Sequence, residues 1–365
     1  MLHEVKISEN ENIRIGGRTI SQKDPVILQW GGSFIELTVK ASELWIEVAG
    51  PHTNNENWMA VEINGAILSR QIVPKEKSLV PVFIHRNPEK ETRVRIFKEV
   101  QAMSGDAHHA LEIYGVKLDG EIVPSKEYSY KLEFIGDSIT SSEGTMGAKE
   151  EEDWISMYFS HTHAYSYMTG KALNAEVRCI SQSGWGVFAS WDSHFDCNLP
   201  AHYEEICSLC NGEEFAEFQK PYDFSSWQPD AVIINLGTND ASAFHQEGYF
   251  NEATGKLEEL RMEGDKFNAE DADKVSSYIA EFLKKVRKNN PGAYILWAYG
   301  MLSTEFEEVI LAGIQKYKET SQDDRIKYLV LPEVNDDTVG ARWHPGEKCH
   351  RAAAEVLVKE LKEIL

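Results

Sequence analysis

The sequence predicts an α/β protein in two parts, an all-β sandwich followed by an α/β/α domain built on a parallel sheet. Three observations carry this. Residues 1 to about 126 alternate apolar and polar side chains with period two and carry turn dipeptides between the runs. From Lys131 onward, short apolar runs alternate with helix-length segments, the pattern of a parallel sheet with helices on both faces. Finally, 365 residues, 42% of them hydrophobic, suffice for two cores. The predicted domains are therefore 1–126 and 127–365.

In the first part, Phe34-Ile-Glu-Leu-Thr-Val-Lys40, Glu43-Leu-Trp-Ile-Glu-Val48 and Thr92-Arg-Val-Arg-Ile-Phe97 alternate as half-buried strands do. Asn64-Gly65 between two apolar runs predicts a hairpin, and Asp119-Gly120 is read in the same way. Many short strands without a helical period point to a β-sandwich of jelly-roll type. No motif here carries chemistry, which leaves a sugar-binding module or a structural partner. Pro124-Ser-Lys-Glu-Tyr-Ser-Tyr130 is polar and broken by proline, and marks the junction.

In the second part, strands are predicted over 131–135, 175–180, 230–236, 293–298 and 326–331. Helices are predicted over 153–170, 271–289, 304–318 and 349–364. The aromatic-rich stretch 185–228 is too long for a plain connection and reads as a lid or a packing insert. Within it, Cys207-Ser-Leu-Cys210 has metal or redox spacing, but no second pair accompanies it and His202–Cys207 reads as a helix. Five cysteines, an odd and sparse number, give no disulfide framework, so buried reduced thiols are expected.

Chemistry gathers at the strand ends. The first strand of the second part runs into Gly136-Asp137-Ser138, with Ser138 where open α/β sheets place their ligands and at what reads as a helix entry. The second runs into Ser-Gln-Ser-Gly184-Trp185-Gly186, where glycines let backbone approach a ligand. The third runs into Gly237-Thr-Asn239-Asp240. Asn239 offers an N–H₂ donor, and Asp240 reads as a helix N-cap or a further substrate contact. After the last strand come Trp343 and His344, the imidazole lying where a general base belongs. Trp343 and Trp185 flank the proposed site, as sugar-stacking platforms or as core.

Gly-Asp-Ser, Gly, Gly-Thr-Asn-Asp and His-Pro in this order resemble the SGNH (GDSL) hydrolase family. The resemblance implies that Ser138 is a nucleophile, His344 its base, and Gly184, Asn239 and the Ser138 N–H an oxyanion hole. A β-sandwich leading into such a domain, with Trp-His-Pro near the C-terminus, resembles carbohydrate esterase family 2, whose members remove acetyl groups from sugars of plant polysaccharides. That implies a serine acetylesterase of the acetyl xylan esterase type, acting on acetylated oligo- or polysaccharide without metal or organic cofactor. A lipid or aryl esterase, and a sugar-binding protein without activity, remain as rivals. Gly-x-Ser-x-Gly is absent around Ser138, which disfavours the α/β-hydrolase elbow.

One departure stands out. The family usually places an aspartate about three residues before the histidine, and here that position is Ala341, followed by Arg342. Either Asp336 or Asp337 folds back, or a backbone carbonyl near 341–342 accepts the far imidazole N–H. The bulk numbers narrow the partners. With 59 acidic against 37 basic residues the net charge is −22, which repels nucleic acid, anionic membranes and phosphorylated substrates. Met-Leu-His-Glu-Val-Lys has no apolar signal region, so a cytoplasmic protein is expected, or a secreted one if a leader has been removed. A homo-oligomer is left open.

Overall fold

Alternation in the first third of the chain builds two antiparallel sheets that face each other. In the computed structural model, which describes residues 1–365, the first sheet runs His3–Val5, Leu111–Leu118, Leu44–Ala49 and Ser78–Phe83, with Val26–Leu28 also on Leu111–Leu118. The second runs Glu121–Val123, Phe34–Lys40, Thr92–Lys98, Trp58–Ile63 and Ala66–Ile72, with Arg14–Gly16 also on Phe34–Lys40. Leu28, Ile46 and Ile113 of one sheet bury against Leu37, Val61 and Ile96 of the other. Asn64 and Gly65 both take positive φ, as a two-residue hairpin turn demands.

Asp119-Gly120 does not make a hairpin, because the strands on either side of it belong to different sheets. The Asp119 carboxylate takes the N–H groups of Ser42 and Glu43 at 2.9 Å. A Cβ on Gly120 would sit 1.8 Å from the Lys40 carbonyl oxygen, so only glycine lets the turn dock there and cross over.

The second part is a five-stranded parallel sheet. Its elements are β1 (Tyr130–Gly136), α1 (Tyr165–Leu173), β2 (Ala175–Ser181), β3 (Ala231–Asn235), α2 (Thr238–Phe244), α3 (Ala269–Asn289), β4 (Tyr294–Tyr299), α4 (Glu307–Ser321), β5 (Ile326–Val330) and α5 (Glu347–Ile364). The strand order is β2-β1-β3-β4-β5. Ile135, Ile180, Val232, Ile234 and Trp297 bury one face under α3 and α4. Leu132, Phe134, Val177, Ile233 and Leu296 bury the other under α1 and α5. Burial on both faces explains why these strands read as apolar runs. No helix is long and apolar enough to cross a membrane.

Three expectations fail for tertiary reasons. The helix predicted over 153–170 starts only at Tyr165. Buried Glu99 of the sandwich takes the N–H groups of His161 and Thr162, and Ser142 Oγ takes that of Ser160. The helix predicted through Cys207 stops at His202, because Ile206 and Cys207 donate instead to Lys220 and Phe218 across the insert. No helix follows Ser138; the chain turns repeatedly from there to Gly147.

Candidate active site

The carboxyl ends of β1, β2 and β3 and the loop after β5 converge on one cavity of about 440 Å³ that includes Ser138, Gly184, Asn239 and His344. Two clefts of similar size, beside the first turns of α3 and α4 and between α1 and α5, hold no nucleophile paired to a base. Ser138 stands two residues past β1, in a turn tied by Asp137 Oδ1 accepting from Ile139 N–H at 3.0 Å. Gly136 makes the turn sterically feasible, since a Cβ there would meet Thr140 Oγ1 at 2.0 Å.

His344 Nε2 lies 2.9 Å from Ser138 Oγ, and its Nδ1 lies 2.8 Å from the Arg342 carbonyl oxygen. A carbonyl oxygen only accepts, so the neutral ring carries its proton on Nδ1 and turns the Nε2 lone pair toward the serine hydroxyl. That is the tautomer a general base needs. The carbonyl is aimed by an unusual backbone. Arg342 (φ 54°) and Trp343 (φ 58°) are consecutive non-glycine residues in the left-handed region. Hydrogen bonds on both sides over-determine it, from Arg342 N to Glu151 O at 2.8 Å and from Ala341 N to Gly144 O at 3.0 Å. Asp336 is exposed and pairs with Lys149 at 2.7 Å, and Asp337 is also exposed; neither bonds the imidazole.

The N–H groups of Ser138 and Gly184 donate to nothing in the protein. Gly184 holds φ +80° and sits beneath Trp191. Asn239 Nδ2 gives one of its two N–H bonds to Trp185 O at 3.0 Å, which fixes the amide and leaves the second free. These three donors, beside an activated serine, suit acyl transfer.

Two expected substrate contacts, Asp240 and Trp185, need correction. Asp240 is fully buried inside the first turn of α2, and Gly237, not Asp240, is the N-cap. Its carboxylate accepts from Val187, Phe188 and Ala189 at 2.7–3.1 Å, which anchors the loop that carries Gly184. Burial raises its pKa to about 6 even so. The Trp185 ring packs on His202, with centroids 5.0 Å apart, and does not line the cavity. Trp343, next to His344, is 60% exposed, its indole N–H on Glu152 at 3.2 Å.

Trp154 and Trp191 line the cavity instead, together with Asn55 and Ser104 of the sandwich. Trp154 falls inside the stretch predicted as helix over 153–170, and Trp191 inside the aromatic-rich 185–228 insert, so neither stood out in the sequence as a site residue. Buried Glu143 is a further unpredicted member, with Oε1 2.9 Å from Arg342 Nε and 3.8 Å from His344 Nε2. Its closeness in sequence to Ser138 was a signal that a helix-entry reading absorbed. Cys207 and Cys210 are buried and unpaired.

A family model described as GDSL-like lipase/acylhydrolase matches residues 132–357. Among solved structures, the acetyl xylan esterase Est2A from the rumen bacterium Butyrivibrio proteoclasticus superposes with a TM-score of 0.97 at 43% identity, covering 100% of this chain and 98% of that one. Cellulase/esterase CelE of Acetivibrio thermocellus is 24% identical over 98% of this chain, which spans only 40% of CelE's length. An acetylxylan esterase/glucomannan deacetylase of Cellvibrio japonicus is 24% identical over 100% of this chain and 91% of its own.

Proposed function

The chain belongs to the GDSL-like lipase/acylhydrolase family, and from that premise we propose that it is a serine esterase removing acetyl groups from acetylated plant oligo- or polysaccharides. The observation that carries this reading is the bond line Ser138 Oγ, His344 Nε2, His344 Nδ1, Arg342 O, at 2.9 and 2.8 Å. On this reading residues 127–365 carry the chemistry and residues 1–126 wall the cleft.

The reaction has two halves. His344 Nε2 takes the Ser138 proton as Oγ attacks the acetyl carbonyl carbon. The carbonyl electrons collect on an oxyanion facing the N–H groups of Ser138, Gly184 and Asn239, each worth about 3 kcal/mol when preorganised. Collapse expels the sugar alkoxide, which takes the proton from His344 and leaves acetyl-Ser138. His344 then deprotonates a water, whose attack releases acetate and restores the serine.

Support for a sugar acetate comes from the wall and from the relatives. Only three of the 14 lining residues are hydrophobic, and two of those are Trp154 and Trp191. That set suits a sugar, whose C–H faces stack on indole, and offers no long apolar slot for a fatty acyl chain. The names of the Butyrivibrio and Cellvibrio relatives point to acetylated xylan or glucomannan.

The test is acetate release from acetylated xylan and from an acetyl aryl ester by the full chain. Ser138→Ala should lose about 10³-fold or more in kcat with the fold intact. An active alanine variant overturns the assignment, and faster turnover of octanoate than of acetate esters favours a lipid esterase.

A further inference from the structure

We propose that Glu143 is the carboxylate of this active site, a positioning residue that stands in for the absent triad aspartate by acting through Arg342 and on the imidazolium. The inference rests on the roles of Ser138 and His344 given above. Without an aspartate on Nδ1, the proton that His344 takes from Ser138 leaves an imidazolium whose only partner on that side is a neutral carbonyl. The residue supplying that carbonyl is an arginine, whose guanidinium opposes a second positive charge nearby. Glu143 answers both problems with one oxygen. Its Oε1 accepts from Arg342 Nε at 2.9 Å and lies 3.8 Å from His344 Nε2, in a place only 3% exposed.

The fold puts it there deliberately in the geometric sense. Glu143 N–H donates to Ser138 O at 3.0 Å, so nucleophile and carboxylate share one turn and move as one piece. Arg342 is braced from the other side, Nη1 donating to Glu152 O at 3.0 Å. The ion pair therefore holds the left-handed Arg342, and with it the carbonyl that sets the His344 tautomer. At 3.8 Å, outside hydrogen-bond range, the carboxylate attracts the imidazolium without competing for the proton that must pass between Nε2 and oxygen. Three other titratable groups adjoin the site, the first being Glu152, whose Oε1 accepts the Trp343 indole N–H at 3.2 Å and which does not bond His344. His350 on α5 bonds Thr145 Oγ1 at 2.9 Å, and Asp137 is buried beneath Ser138; neither bonds His344.

The experiment is the pH profile of kcat/KM on an acetyl aryl ester, where the acid limb reports protonation of the base. Glu143→Gln removes the negative charge in nearly the same shape. Its acid limb should move to lower pH by about one unit, with kcat down about tenfold and KM little changed. Arg342→Gln leaves Glu143 unshared beside the ring, and its limb should move to higher pH. Opposite shifts support the proposal; limbs that stay put, or move the same way, overturn it even if kcat falls. Should Glu143→Gln fail to fold by circular dichroism, Arg342→Gln decides alone: an upward shift supports, and no shift or a downward one overturns. Ser138→Ala runs in parallel. Its loss of activity upholds the esterase reading whatever the limbs do, so the two failures are distinguishable.

Discussion

Asp240 accepts three backbone N–H groups, whereas Asp137 receives one from Ile139, and Asp137 Oδ2 meets no donor. Both carboxyls are fully buried. Burial is the main cause raising the Asp137 pKa to about 7, and the neighbouring Asp240 and Glu143 charges add to it. The sign for stability follows from linkage. Between the unfolded carboxyl range near 4 and about 7 the folded protein holds the extra proton, so stability falls as pH rises through that window. Asp137→Asn cannot ionise and escapes that loss. Its melting temperature relative to the parent should therefore be more favourable at pH 8 than at pH 5, by about 3 °C. An equal difference at both pH values would mean that Asp137 carries no such penalty. At this scale Ser138, Gly184 and Asn239 were legible because each lies within a few residues of a strand end, and His344 because Trp-His-Pro follows the last strand of the same sheet. The Arg342 carbonyl was reduced to one of two alternatives, since a carbonyl's direction depends on φ values that no glycine announces there.

The site's two chain segments, the turn after β1 and the loop after β5, lock together at Gly144. Gly144 holds φ +73°, and a Cβ there would meet Ala341 O at 2.3 Å and His344 Cβ at 2.9 Å. Gly144→Ala thus faces backbone strain and a clash against the loop that carries the base. It should cost about 1–3 kcal/mol in a denaturant melt and lower kcat on an acetyl ester by more than tenfold, because small misplacements of a base are costly. Parent-like activity would mean that the loop slides without moving the imidazole. Elements whose fate is decided by their own pattern were legible: all five parallel strands, and the helices that became α3, α4 and α5. Those decided by a distant side chain were not. Glu99 holds 160–162 out of the helix, taking the Thr162 N–H from 63 residues away in sequence, and Asp119 turns an apparent hairpin into a crossing between sheets.

Across the whole molecule, the sandwich is built into the catalytic half. Arg18 pairs with Glu133 of β1 at 2.9 Å in full burial, and Tyr203 OH donates to the same carboxylate at 2.7 Å. Gln101 Oε1 accepts from Ser183 N–H at 2.8 Å, one residue before Gly184. The sandwich also forms one side of the cavity through Asn55, Ser104 and Gly105. One carboxylate organises that wall. Asp106, 1% exposed, accepts from the N–H groups of Thr53, Asn54, Asn55 and His108 at 2.6–3.3 Å, fastening the 53–55 loop to the 104–108 turn. A small aryl acetate needs little beyond the serine and the oxyanion donors, while a polysaccharide must lie along the whole cleft. Asp106→Ala should therefore raise KM for acetylated xylo-oligosaccharides by about tenfold or more, and KM for the aryl ester much less. The comparison separates a wall that binds the chain from one that merely stabilises the fold. Equal changes on both substrates would leave the sandwich a scaffold, and a selective change would make it half of the binding site.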